Sequence, residues 1–181
     1  EINFLPPIKV LTYHALGGES FAGAIRSSAH DLDDNEITMA NKAAEQAIYA
    51  LGLKSSLAHV EMYKTNSGWK IIEVAARMGG YREDLYREAY GIDHYLNYLR
   101  SNLNLEVSTN CRAKQYAAAI NIHTKQEGNI INVHGIEKVK SLQSVIWLKQ
   151  YIANGEKVFF SSNGGFYVVH GVLANADKFE L

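Results

Sequence analysis

The sequence predicts an α+β chain, with helices and an antiparallel hairpin first and a β-rich part after them. Three observations predict this class. Ile37, Ala40, Ala44, Ala47, Ile48 and Leu51 recur at helical spacing between the acids Asp33-Asp34 and the stop residue Gly52. Leu57–Thr65 and Trp69–Ala75 are strand-like runs on either side of the turn residues Asn66-Ser67-Gly68. Beyond Arg112, Tyr116, Ala118, Ile120 and Ile122 alternate, and Asn154-Gly155 and Asn163-Gly164-Gly165 signal hairpins.

Composition sets the outer bounds. The chain has 181 residues, 47% hydrophobic and 20% charged, which excludes disorder, collagen and coiled coil. A formal charge of −1 supplies no general field for nucleic acid or acidic membranes, and no apolar run approaches the roughly 20 residues that span a bilayer. Neither a nucleic-acid nor a membrane partner is therefore expected. The single cysteine, Cys111, excludes an internal disulfide framework and a Cys-rich zinc site, is read as inert, and fits a cytoplasmic location. The 7 histidines show no HxH or HxxxH spacing, so a zinc site is not expected.

In chain order, Ile8–Tyr13 and Phe21–Arg26 read as a hairpin with a loose loop. Gly17, Gly18 and Gly23 could suggest a phosphate cradle, but no helix start follows them, so they are read as turn glycines. Asp33 or Asp34 caps the first helix, and Gly52 takes its C′ position. After the Asn66 hairpin and a tight Arg77-Met78-Gly79-Gly80 loop, a helix runs from Glu83 to Tyr90 and stops at Gly91. Asp93 then caps another helix to about Arg100. Ser101–Asn110 is polar and is the best boundary, giving parts 1–107 and 108–181. In the second part, Ile130–Val133, Val145–Ile152, Lys157–Phe160 and Phe166–Leu173 are apolar or strand-like.

The hairpin carries the chemistry. A three-residue loop with Gly68 in its left-handed position sets Thr65 against Trp69, Tyr63 against Ile71, Glu61 against Glu73 and His59 against Ala75. Side chains alternate with period 2, so these pairs share one face. Like charges directly opposite one another destabilise a sheet unless one is protonated, a base lies between them, or a divalent cation bridges them. Two carboxylates without a full protein cage suit Mg²⁺, which keeps waters and takes ligands from phosphates. The rival reading is a solvated face. Arg77, four residues past Glu73, can bind phosphate or carboxylate through two N–H groups, and Gly79-Gly80 lets backbone approach a ligand. Together these resemble a nucleotide-phosphate site, whereas a lone Arg77 would be a surface salt bridge.

The stretch from about Ala40 to Leu103 is similar to the C-terminal half of an ATP-grasp domain. The similarity lies in Ala50-Leu51-Gly52-Leu53, Ala58-His59-Val60-Glu61, the run from Gly68 to Gly80, and Ala89-Tyr90-Gly91-Ile92-Asp93. It is particularly similar to the branch holding the amino-acid ligases and the relatives of carbamoyl-phosphate synthase and biotin carboxylase. The resemblance implies that Glu61 and Glu73 hold Mg²⁺ or Mn²⁺ on the phosphates of ATP, and that Arg77 contacts phosphate or an acyl-phosphate. Residues 112–181 match the small β-rich C-terminal subdomain of these ligases more weakly. The implied reaction is ADP-forming ligation of a small carboxylate to an amine or similar nucleophile; a carboxylase-type reaction and a non-catalytic binding module are the alternatives.

Two departures stand out. Many members carry Asn as a further metal ligand where this chain has Ala75, and His59 opposite it is read as a packing histidine. The lysines and glycine-rich loop that grip ATP would lie before Ile8. The chain is therefore expected to be the C-terminal portion of a longer enzyme, partnered by the rest of that protein, and to fold but not turn over ATP alone. Arg26 could face the acyl substrate, Arg82 and Arg87 are read as solvating a helix face, and Tyr81, Tyr86 and Tyr90 as packing.

Overall fold

The computed structural model describes residues 2–28, 32–109, 112–160, 166–178 and 181. The expectations for Cys111 and for Asn163-Gly164-Gly165 lie outside the described residues. The chain divides into two compact units, one built from Glu1–Pro7 and Ala29–Arg112, the other from Ile8–Ser28 and Ala113–Leu181.

In the first unit, α1 (Asp34–Ala50) starts at Asp33, whose carboxylate accepts from the Glu36 N–H while Glu36 reaches back to the Asp33 N–H. This reciprocal pair satisfies two of the amide groups that a helix start leaves unpaired. Gly52, at φ +65°, follows the C-cap as expected. α1 packs on β4 (Gly68–Ala75), which pairs with β3 (His59–Thr65) in a two-stranded antiparallel sheet. α2 (Glu83–Tyr90) buries Leu85 and Ala89 completely and Tyr86 and Tyr90 nearly so, which bears out packing roles for those two tyrosines. α3 (His94–Asn102) begins at Asp93, which accepts from the Leu96 N–H at 2.8 Å. Asn97 clasps Ser108 in both directions, at 2.7 and 2.9 Å, and so orders the polar segment after the helix.

The second unit is a five-stranded antiparallel sheet in the order β1 (Ile8–Thr12), β2 (Gly23–Ser28), β5 (Tyr116–Ile122), β9 (Val169–Asn175), β7 (Val145–Gln150). β6 (Gly128–Asn129) pairs with β8 (Lys157–Val158), and α4 (Ile136–Lys140) lies between β6 and β7 in sequence. Leu148, Val158, Val168 and Val169 form the core, with Ile130, Val133, Ile136 and Val139 packed against them. Gly17, at φ +84°, closes a short 3₁₀ turn, and the Gly18 N–H donates to the Tyr13 carbonyl, as turn glycines do.

The division differs from parts 1–107 and 108–181 in two respects, the first being that the first unit runs on to Arg112. The β1–β2 hairpin belongs with the second unit because β2 pairs with β5, Arg26 opposite Ala119. Local patterns show a hairpin but not the strand that its outer edge will meet. Ile130–Val133 forms no strand; Ile130 and Val133 pack against the core from a loop that leads to α4, while Ile131 is exposed. Among the described residues, no helix is long and apolar enough to cross a membrane.

Candidate phosphate and metal site

Glu61 stands opposite Glu73 in the β3–β4 ladder, as the sequence predicts. The route to that register is different. Thr65 pairs with Gly68 rather than with Trp69, which shortens the loop by one residue, and β4 then bulges at Ile72 between the Glu61–Glu73 and Met62–Ile71 pairs. A bulge sets two residues of one strand against one of the other, so it restores the offset that the shorter loop removed. Beyond the bulge the face changes: Tyr63 stands opposite Lys70, while Trp69 stands opposite Lys64. Trp69 therefore does not share the glutamate face, which carries an amine instead of an indole. Water reaches this face, because Glu61 and Glu73 are 45% and 52% exposed.

Each glutamate already meets a cation or a potential one. Arg77 Nη2 lies 3.5 Å from Glu73 Oε1, and Arg77 Nη1 donates to the Met78 carbonyl at 3.0 Å. The side chain of Arg77 is 58% exposed. His59 Nε2 lies 2.9 Å from Glu61 Oε1, and Arg82 Nη2 approaches the same oxygen at 4.0 Å. Arg82 corrects the sequence reading. It does not solvate a helix face: its side chain is 8% exposed, and its Nη1 donates to the Gly80 carbonyl at 2.6 Å. Arg87 does behave as read, lying half-exposed among Glu83, Asp84 and Glu88. A signal for Arg82 was present in the sequence. It precedes the Glu83-Asp84 helix start, where the dipole disfavours a cation, so its charge needed another partner.

The two glycines of the loop differ. A Cβ on Gly80 would meet nothing within 4 Å, so there the backbone is open to approach. A Cβ on Gly79 would sit 2.7 Å from His59 Nδ1 and 3.1 Å from Arg82 Cγ, so that glycine serves packing. Tyr81 follows at φ +59°, a left-handed conformation that side chains other than Gly adopt at a cost. His59 is thus a packed histidine that also touches a site carboxylate. Behind the loop, burial pushes the imidazole of His94 down to about 4, assisted by the charges of Arg82 and His59. Burial also raises the Glu83 carboxyl, with Asp93 adding to the effect. Among the described residues, no group of three or more His, Cys, Asp or Glu is placed to hold a metal ion. Glu61 and Glu73 are the two carboxylates that could share one.

No protein-family model matches the chain, and no curated protein matches it. Solved structures do. An L-amino acid ligase from Bacillus licheniformis superposes with a TM-score of 0.78 at 23% identity, over 89% of this chain and 41% of that one. A phosphoribosylglycinamide synthetase from Anaerococcus prevotii gives 0.70 at 18% identity, over 96% and 44%. A carboxyaminoimidazole ribonucleotide synthase from Aspergillus clavatus, complexed with ATP, gives 0.70 at 17%, over 99% and 44%. The fold is that of the C-terminal half of the ATP-grasp ligases. This chain spans 41% to 44% of the length of those three relatives. Within an ATP-grasp fold, the bulged β3–β4 hairpin and the Arg77–Gly80 loop are the elements on which the sequence motifs fall.

Proposed function

We propose that this chain carries the phosphate end of the site of an ATP-dependent, ADP-forming ligase, in which a carboxylate is phosphorylated and an amine or similar nucleophile then displaces phosphate. The observation that carries the reading is the register of Glu61 against Glu73 on an exposed face, with Arg77 reaching Glu73 at 3.5 Å. Folding alone gives no reason to oppose two carboxylates there. The likeness to an amino acid ligase and to a synthase complexed with ATP supports the class.

The donor set fits Mg²⁺ or Mn²⁺. Glu61 and Glu73 offer hard oxygens, too few for a cage, and such an ion keeps waters and takes its remaining ligands from phosphates. When bound, the ion neutralises phosphate charge. Arg77 has an exposed guanidinium beside Glu73, suited to meet charge on the transferred group. Gly80 leaves its backbone approachable, and Gly79 keeps the loop close to His59. The partners in this reading are ATP, a small carboxylate and the remainder of the ligase.

Melting of the chain with and without millimolar Mn²⁺ tests the metal site. The ion should raise the transition by several degrees, and Glu61→Gln or Glu73→Gln should remove the increase. An equal response in all three proteins would return the face to a solvated surface.

A further inference from the structure

Arg82 is the anomaly of the first unit. Its side chain is 8% exposed, yet it carries a permanent charge at the N-terminal start of α2, where the dipole opposes it. Its Nη1 donates to the Gly80 carbonyl at 2.6 Å, and its Nη2 lies 4.0 Å from Glu61 Oε1. His59 reaches the same Oε1 at 2.9 Å from the other side, and both side chains close on Gly79, which has no room for a Cβ. The left-handed backbone of Tyr81, at φ +59°, joins that turn to Arg82. The Glu61 carboxylate thus meets His59 within hydrogen-bond distance and the Arg82 guanidinium as a longer ion pair, both at one oxygen.

We propose that Arg82 is a positioning residue of this site, holding the Glu61 carboxylate and the Gly79-Gly80 turn in one geometry for a divalent cation. The inference rests on the metal reading above. Outer partners of ligating carboxylates commonly govern metal affinity by roughly 10–100-fold. Arg82 is suited to this work because its planar fork can serve the carbonyl and the carboxylate at once, which a lysine cannot do.

Mn²⁺ binding to the 181-residue chain, followed by the paramagnetic resonance of the free ion, tests the proposal beside metal-free melting curves. Arg82→Lys keeps the charge and loses the fork; it should weaken Mn²⁺ binding about 10-fold. Arg82→Met should also weaken it, although it removes a positive charge beside the ligand. A structural role would lower the melting temperature of Arg82→Lys and leave its Mn²⁺ affinity unchanged, which overturns the proposal. Tighter binding in Arg82→Met with no change in Arg82→Lys would show a charge effect alone and overturn it too. Because either variant could fold poorly, the Arg82 Nε–H resonance of the unmutated protein supplies a second measurement. It should shift saturably as Mg²⁺ is added, and a resonance that stays in place while Mg²⁺ binds also overturns the role. If the unmutated chain binds no Mn²⁺, or Glu73→Gln binds it equally well, the metal reading itself has failed and the proposal falls with it. If Glu73→Gln weakens binding and Arg82→Lys does not, only the role of Arg82 is lost.

Discussion

The β3–β4 hairpin and the β5–β9 pair are both antiparallel ladders, but they are built on opposite terms. In β5, Ala117, Ala118 and Ala119 are 0%, 6% and 1% exposed, and in β9 Val169 and Val172 are nearly as buried. Gly171 sits where a Cβ would come 2.8 Å from the Trp147 carbonyl oxygen and 2.5 Å from a methyl of Leu148. Space dictates those residues. The glutamate face of the hairpin is under no such pressure, and its opposed charges work against the fold. Residue choice in β5–β9 is explained by packing; at Glu61 and Glu73 it asks for a reason outside folding.

The largest expected effect concerns rate. If the proposed ligase activity holds, Arg77→Lys should lower its kcat and kcat/KM together by about 10²–10³, with ATP affinity little changed. Near-normal steady-state kinetics would make Arg77 a surface residue like any other. Next comes pH. The imidazole of buried His94 titrates near 4, against an ordinary 6.5, so the unfolded chain binds more protons between those values. Stability should be full above pH 6.5 and fall by about 3 kcal/mol as pH drops to 4. Urea titrations of the chain and of His94→Gln across that window should show a shallower fall in the variant.

Gly171→Ala should cost about 1–3 kcal/mol by overpacking, read from urea unfolding. A neutral result would mean that β9 has more room than the contacts of Gly171 indicate. Glu73→Gln should be the smallest effect on stability, within about 0.5 kcal/mol and of stabilising sign, since it relieves a like-charge pair. The same variant should lose the response to Mn²⁺. Destabilisation on a par with Gly171→Ala would erase the contrast between the two ladders.

Much of this was legible locally. Asp33, Gly52, Gly91 and Asp93 mark helix ends through backbone chemistry confined to one turn, and each falls where the sequence puts it. The opposition of Glu61 and Glu73 was legible as well, although two departures cancel to produce it: a loop one residue shorter and a bulge at Ile72. Arg82 was legible only as a charge out of place before a helix start; its partners, Gly80 and Glu61, come near it through the turn at Tyr81, which no local pattern shows. The edge that joins β2 to β5 was not legible at all, since strand pairing at long range depends on the whole sheet.

That last pairing sets a timetable for synthesis. Ser28 and Ala117, which share a hydrogen bond across β2 and β5, are 89 residues apart. At roughly 5–20 residues per second, the β1–β2 hairpin leaves the ribosome about 4–18 seconds before its neighbour. For that interval the outer edge of β2 is an open template for other nascent strands. Its second half reads Arg26-Ser27-Ser28, polar residues of the kind that discourage stray pairing, rather than the valines of β9. The strand left waiting therefore carries a polar end.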